Sequence, residues 1–180
     1  MTTQEKKAGE KEAGKSGINE YVASLFDQTL QWGDVEWLKS VTRLPIILKG
    51  IMRPDDALKA ADMGVEGVFV SNHGARQLDT VPATVDALPA VVAAVGHRVE
   101  VYLDGGVTLG TDALKAIALG AKMVFVGRPV LWGLAYDGQK GVEKVLEILK
   151  VELDMAMALA GVDAISEIQH DFVVIPKSAL

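Results

Sequence analysis

Val68-Phe-Val-Ser-Asn-His-Gly-Ala-Arg-Gln-Leu-Asp79 passes without a break from three apolar residues into a polar run. The apolar part is too short for a helix and rich in β-favouring residues, so it reads as a buried strand. Parallel α/β folds place their ligands at strand ends of this kind. The same unit repeats on either side. Ile46-Ile-Leu48 ends in Lys49-Gly50, Val99 to Leu103 ends in Asp104-Gly-Gly106, and Met123 to Val126 ends in Gly127-Arg-Pro129. Between these strands the apolar spacing predicts helices over Asp55–Met63 (with Pro54 or Asp55 as its start), about Thr84–Val95, and Thr111–Leu119. Tyr21, Val22, Leu25 and Phe26 suggest a short helix before the first strand, and Trp32 to Val41 an amphipathic one. Two helical stretches, about Gly141–Leu159 and Ser166–Ile168, close the pattern.

Alternating strands and helices, with continuously apolar strands, mean an α/β fold with a parallel sheet covered by helices. An open doubly wound sheet and a TIM-type (β/α)₈ barrel share this pattern, and periodicity leaves both open. A closed barrel takes about 250 residues and eight strands. A chain of 180 residues with four readable βα units is, as barrel sequence, one half of a barrel.

Composition narrows the function classes. A net charge of −6 argues against nucleic acid or an anionic membrane as the main partner. The absence of cysteine removes disulfides, thiolate metal sites and a cysteine nucleophile. No apolar run reaches the 18 or so residues of a membrane span. His73, His97 and His170 are the only histidines and lie far apart in sequence, so no metal site is expected. Residues 1–17 are mostly Lys, Glu, Gly and Ala, with Thr, Gln and Ser and no large apolar residue after Met1, and read as a disordered charged tail. They lack a secretory h-region and carry too many acids for a mitochondrial presequence. The organised part is expected over residues 18–170, with 171–180 as a C-terminal tail. Ser178-Ala179-Leu180 approximates the S-K-L peroxisomal address without its basic middle residue; otherwise a cytoplasmic location is expected.

The strand ends carry the candidate chemistry. The glycines of Asp104-Gly105-Gly106 let backbone N–H groups approach an oxyanion, and the following helix N-terminus adds positive potential. Gly127-Arg128 would add another N–H and a guanidinium fork. The plainer reading is that these glycines only turn the chain. His73 could take a hydroxyl proton near neutral pH, with Arg76 three residues on as a carboxylate clamp. Unaided, a strand-end histidine is as readily a structural group. Lys49 would ordinarily snorkel outward; pointed into the same mouth, it could stabilise negative charge on a cofactor ring. His97 is expected in a solvated loop, and Met155 and Met157 as core filler.

Taken together, Leu44-Pro-Ile-Ile-Leu-Lys-Gly50, Val70-Ser-Asn-His-Gly-Ala-Arg-Gln-Leu-Asp79, Leu103-Asp-Gly-Gly-Val107 and Val126-Gly-Arg-Pro129 resemble the FMN-dependent α-hydroxy acid oxidase/dehydrogenase family, the group of glycolate oxidase and the long-chain hydroxy acid oxidases. Trp132-Gly-Leu-Ala135 and Gly141-Val-Glu-Lys-Val-Leu-Glu147 look most like its animal peroxisomal members. The resemblance implies the C-terminal half, strands five to eight, of a (β/α)₈ barrel. It makes His73 the catalytic base and Arg76 the substrate-carboxylate arginine. It places Lys49 and Ser71 at the flavin ring, and Asp104, Gly105, Gly106, Gly127 and Arg128 around the ribityl phosphate. The implied reaction oxidises a 2-hydroxy acid to a 2-keto acid: His73 takes the hydroxyl proton, the Cα hydrogen goes to the flavin, and O₂ is reduced to H₂O₂.

Two departures from the family pattern stand out. The family continues Asp-Gly-Gly-Val with an arginine on the FMN phosphate, and this chain has Thr108. Losing one charged contact costs roughly 1.5–3 kcal/mol, partly recovered by the hydroxyl. The first half of the barrel is also missing, and with it the family's active-site tyrosines and the aspartate that orients the histidine. The resemblance therefore leaves two readings: an oxidase completed by a second copy or a complementing chain, or an inactive half barrel that binds FMN, phosphate or a partner chain.

Overall fold

The computed structural model describes Gly17, Tyr21, Ser24, Leu25, Asp27 and residues 29–174. The chain divides into two compact units, Met1–Val41 and Thr42–Leu180. Most of the expected charged tail, the boundary at residues 17/18 and Ser178-Ala179-Leu180 lie outside the described residues, as do Val22 and Phe26 of the first expected helix. In the first unit, α1 (Gly33–Val41) takes up the expected Trp32–Val41 segment, with Asp34 and Glu36 in its first turn and Val35 buried.

The second unit opens with β1 (Ile47–Lys49), α2 (Pro54–Asp62) and β2 (Gly67–Val70). It continues through α3 (Thr84–Val95), β3 (Glu100–Leu103), α4 (Gly110–Ala118), β4 (Met123–Val124) and α5 (Arg128–Ala160). All strand pairings are parallel and the strand order is β1-β2-β3-β4. This order decides between the two architectures that periodicity leaves open. A doubly wound sheet reverses its strand order at a switch point and so carries helices on both faces. A sheet wound in one direction with right-handed crossovers carries them on one face only.

Burial follows the one-sided arrangement. Val68, Val70, Val101 and Leu103 alternate onto one face and are at most 2% exposed, among Ala57, Ala60, Leu88, Val91, Val95 and Ala116 of the helices. The opposite face carries Ile47, Met123 and Phe125 at 43%, 53% and 41% exposure. Lys49, Phe69, Tyr102 and Met123 lie in register across it. The rings of Phe69, Tyr102 and Phe125 cluster there with centroids 4.7–6.1 Å apart. One face under helices and the other open and aromatic is an arc of a (β/α) barrel, a partial barrel.

Local differences from the sequence reading have local causes. β4 ends two residues before the expected Val126. Phe125 still donates to the Leu103 carbonyl at 2.8 Å, but Gly127 then turns the chain straight into a helix. That helix, α5, starts thirteen residues before the expected Gly141. Its N-terminal proline lies in the first turn, where the missing N–H costs nothing. It breaks at Asp137 and Gly138, where φ and ψ leave the helical region. The two segments then cross backbone to backbone: a Cβ on Gly133 would lie 2.5 Å from the Gly141 carbonyl oxygen. Met157 is buried as expected of core filler, whereas Met155 is 58% exposed.

Candidate active site and its family

Because the strands run parallel, their C-terminal ends share one edge of the sheet, and that edge collects the candidate residues. Lys49, the last residue of β1, extends its ammonium across β2. Its Nζ lies 2.6 Å from Ser71 Oγ and 2.8 Å from Asp104 Oδ2, and sits 4.8 Å from the centroid of the Phe69 ring. Ser71 is buried, and its Oγ also accepts the His73 backbone N–H at 3.1 Å. The three strand ends are thereby cross-linked by side chains. Lys49 does not snorkel away; two acceptors and an aromatic face hold it over the open face of the sheet.

After β2 the chain makes a one-turn 3₁₀ segment, His73–Ala75, in which φ is 56° at His73, 64° at Gly74 and 60° at Ala75. Each non-glycine residue in this left-handed region costs about 1 kcal/mol or more. Asn72 compensates: its side-chain oxygen accepts from Ala75 N at 3.2 Å, and His73 O accepts from Arg76 N at 3.4 Å. The turn puts His73 and Arg76 on the wall of one cavity of about 520 Å³, with Asp104, Gly105, Gly106 and Arg128. The Nδ1 of His73 lies 2.9 Å from Gln77 Nε2. Sequence reasoning passed over Gln77; its one signal is the four-residue spacing from His73.

Across the cavity, the backbone N–H groups of Gly105, Gly106, Val107, Gly127 and Arg128 have no intramolecular acceptor among the described residues. Gly105 has φ +91°, and a Cβ there would lie 3.0 Å from Asn72 Oδ1 and 3.1 Å from Thr84 Oγ1; only glycine suits the position. The buried Thr84 hydroxyl donates to the Gly105 carbonyl at 3.0 Å and fixes the turn. The expected contribution from the helix after Gly106 is already engaged internally. Asp112 Oδ2 accepts from Thr108 N and Leu109 N at 3.1 and 3.0 Å, and Glu152 Oε2 accepts from Gly110 N at 2.7 Å. The helix terminus that faces the cavity is that of α5, at Gly127 and Arg128. Arg128 Nη2 donates to the Gly74 carbonyl at 2.8 Å and so spans both walls.

These features accommodate a phosphorylated ligand at its anionic end: a nest of N–H groups, one guanidinium and a helix N-terminus. Asp104 adds a more specific mark. Its Oδ2 faces Lys49, while its Oδ1 is buried with no hydrogen-bond partner. A buried carboxylate oxygen of this kind calls for a donor, and a polyol hydroxyl supplies one. The residue set thus fits the ribityl phosphate of FMN. The other histidines lie elsewhere. His97 lines a second cavity, of about 630 Å³, with Glu66, Arg98, Glu100 and Lys122. His170 begins a 3₁₀ turn near the end of the described chain. Among the described residues, no group of three acidic or histidine side chains is placed to hold a metal ion.

A family model for FMN-dependent dehydrogenases matches residues 1–175. The chain belongs to the FMN-dependent dehydrogenase family. Among family relatives, it is 60% identical over 158 residues to 2-hydroxyacid oxidase 1 of Mus musculus, covering 88% of this chain and 43% of that one. It is 51% identical over 158 residues to a peroxisomal (S)-2-hydroxyacid oxidase of Arabidopsis thaliana, covering 88% of this chain and 44% of the relative. Among solved structures, a mandelate oxidase variant with (S)-mandelic acid superposes with a TM-score of 0.76 at 47% identity, over 78% of this chain and 42% of the other. A second structure of that variant, with the monooxide FMN adduct, gives the same TM-score of 0.76. This FMN-dependent dehydrogenase chain therefore spans less than half the length of these relatives.

Proposed function

We propose that the chain supplies the phosphate-binding and acid–base side of an FMN-dependent 2-hydroxy acid oxidase. The observation that carries this reading is the shared cavity: His73 and Arg76 stand on one wall, the free N–H groups of Gly105, Gly106 and Gly127 on the other, and Arg128 between them. Gly105, Gly106, Gly127 and Arg128 would hold the FMN phosphate, Asp104 the ribityl chain, and Lys49 with Ser71 the edge of the ring. FMN, when bound, supplies the two-electron acceptor.

The protein's own residues do the rest. The Arg76 guanidinium makes no hydrogen bond or ion pair among the described residues, which leaves its fork for the substrate carboxylate. With Nδ1 of His73 engaged by Gln77, Nε2 is the nitrogen left for the substrate hydroxyl. As placed, the Gln77 amide nitrogen faces Nδ1; for Nε2 to accept that proton, Nδ1 must carry the ring hydrogen and the Gln77 amide must turn to present its oxygen to Nδ1–H. Proton transfer gives an imidazolium, and Gln77 still accepts its Nδ1–H. The Lys49 ammonium balances negative charge that develops on the ring side of the cavity.

The substrate is a small 2-hydroxy acid and the final acceptor O₂, by analogy with relatives named as oxidases. The strands that would close the open aromatic face come from further sequence, a second copy or a complementing chain. A peroxisomal location rests on the name of the Arabidopsis relative. Among the described residues, no helix is long and apolar enough to cross a membrane.

A visible spectrum of the purified chain, with and without added FMN, tests the reading. Flavin bands that survive desalting and bleach when a 2-hydroxy acid is added without oxygen bear it out. Retained flavin without bleaching reduces the function to binding, the reading favoured by the exposed Ile47, Met123 and Phe125. A soluble chain that keeps no flavin overturns both.

A further inference from the structure

We propose that Arg128 is a positioning residue for His73: occupancy of the anion cradle by a phosphate is transmitted through its guanidinium to the loop that carries the imidazole. This rests on the anion-site reading above and adds to it a coupling between the two walls of the cavity.

The Arg128–Gly74 contact has two components. Arg128 Nη2 donates to the Gly74 carbonyl at 2.8 Å. The guanidinium also lies against the Gly74 Cα, since a Cβ there would be 3.2 Å from Nη2 and 3.8 Å from Cζ. Gly74 is the middle residue of the left-handed turn, between His73 and Ala75. The carbonyl that Arg128 grips thus belongs to the residue that follows the imidazole-bearing one. The turn is strained and largely exposed, and is otherwise held by short-range bonds with Ser71, Asn72, Arg76 and Gln77. Segments of that kind sit at the low-stability end of a fold and respond to one added tether.

A guanidinium carries five N–H donors in a rigid fork, and one of them is used on Gly74. The others have no acceptor among the described residues, and the N–H groups of Gly127 and Arg128 open into the same space. An anion on that fork removes the side-chain freedom that otherwise opposes the grip on Gly74. Linkage makes the effect reciprocal: an ordered turn presents Arg128 better to the anion. A lysine ammonium cannot do this, because a point donor lacks the planar fork that spans two acceptors in fixed directions.

Inorganic phosphate titrated into the full chain, followed by proton–nitrogen NMR, tests the proposal without flavin or turnover. The backbone amides of Gly105, Gly106 and Gly127 report occupancy, the His73 ring reports the turn, and the His97 ring serves as a reference in the other cavity. The expected result is a His73 response with the same midpoint as the glycine amides. In Arg128→Lys the amides still respond and the His73 response is lost. Gly74→Ala, whose Cβ at 3.2 Å from Nη2 pushes the guanidinium by a few tenths of an ångström, weakens the His73 response with Arg128 intact. A His73 ring that follows phosphate equally in both variants, or stays fixed in the unmodified chain while the amides move, overturns the coupling alone. Glycine amides that never respond overturn the anion site and the coupling with it.

Discussion

Lys49 Nζ and Asp104 Oδ2 lie 2.8 Å apart, although their strands, β1 and β3, are separated by β2. Ser71, at the end of the intervening strand, takes a second hydrogen bond from the same ammonium at 2.6 Å. The ion pair thus fastens the strand ends on the side of the sheet that bears the candidate chemistry. It is half-exposed, with side-chain exposures of 46% for Lys49 and 20% for Asp104, so solvent discounts its strength.

A double-mutant cycle measures that strength. In urea unfolding, Lys49→Met leaves the Asp104 carboxylate unpaired and costs more than Lys49→Met in an Asp104→Asn background. The expected coupling is about 0.5–1 kcal/mol. Additive effects would show that the pair does not fasten the strand ends.

Thr108 stands where the family pattern has arginine, and it lines the cavity. Its backbone N–H, not its side chain, makes the firm contact with Asp112, at 3.1 Å against 3.4 Å for the hydroxyl. Thr108→Arg therefore adds a cation without breaking the cap. FMN binding, measured by calorimetry, is expected to tighten roughly ten- to a hundredfold, equivalent to about 1.5–3 kcal/mol. Unchanged affinity would mean that position 108 does not face the phosphate.

His73 and Arg76 share a wall and separate in kinetics. His73→Asn removes the base and is expected to slow anaerobic flavin bleaching by about 10²–10⁴-fold at saturating substrate. Arg76→Lys keeps the charge and loses the fork, so its main effect falls on substrate affinity. Equal losses of rate and affinity in the two variants would contradict the division of roles.

Tyr102 gives a pH-dependent test away from the site. The Glu100 carboxylate accepts the phenol hydrogen and, with burial and its own charge, lifts the ionisation of Tyr102 above the ordinary value of 10.0. A raised value in the folded state means that this contribution to stability is present below pH 10 and lost as the pH climbs through the folded value. Glu100→Gln should bring phenolate absorbance on at lower pH. An unmoved titration would show that the carboxylate does not hold the phenol.

How much of this could be read from the chain varies by element. The helix expected over about Thr84–Val95 is found there, its apolar spacing ending just before Gly96. The direction of winding was not legible. It follows from strand order, which depends on crossover geometry and not on any one segment. The start of α5 was obscured because Gly127-Arg128-Pro129 reads as a turn, whereas proline in a first turn is also a helix opener. Residue types at the strand ends single out His73, Arg76, Asp104 and Arg128, and these line one cavity. The contacts of Gln77 with His73 and of Arg128 with Gly74 depend on a left-handed turn that no apolar pattern encodes.

The one-directional winding of the sheet also bears on how the site comes together in time. Each strand pairs with the next one along the chain, so Lys49, His73, Asp104 and Arg128 meet through successive nearest-neighbour closures. Loop closure by short steps costs less entropy than one long-range docking. The Asp104–Gly106 turn and the His73–Arg76 turn are thus brought together by the same strand pairing that builds the sheet. The crossover between β2 and β3 is the one that joins the His73–Arg76 turn to the Asp104–Gly106 turn of the same cavity.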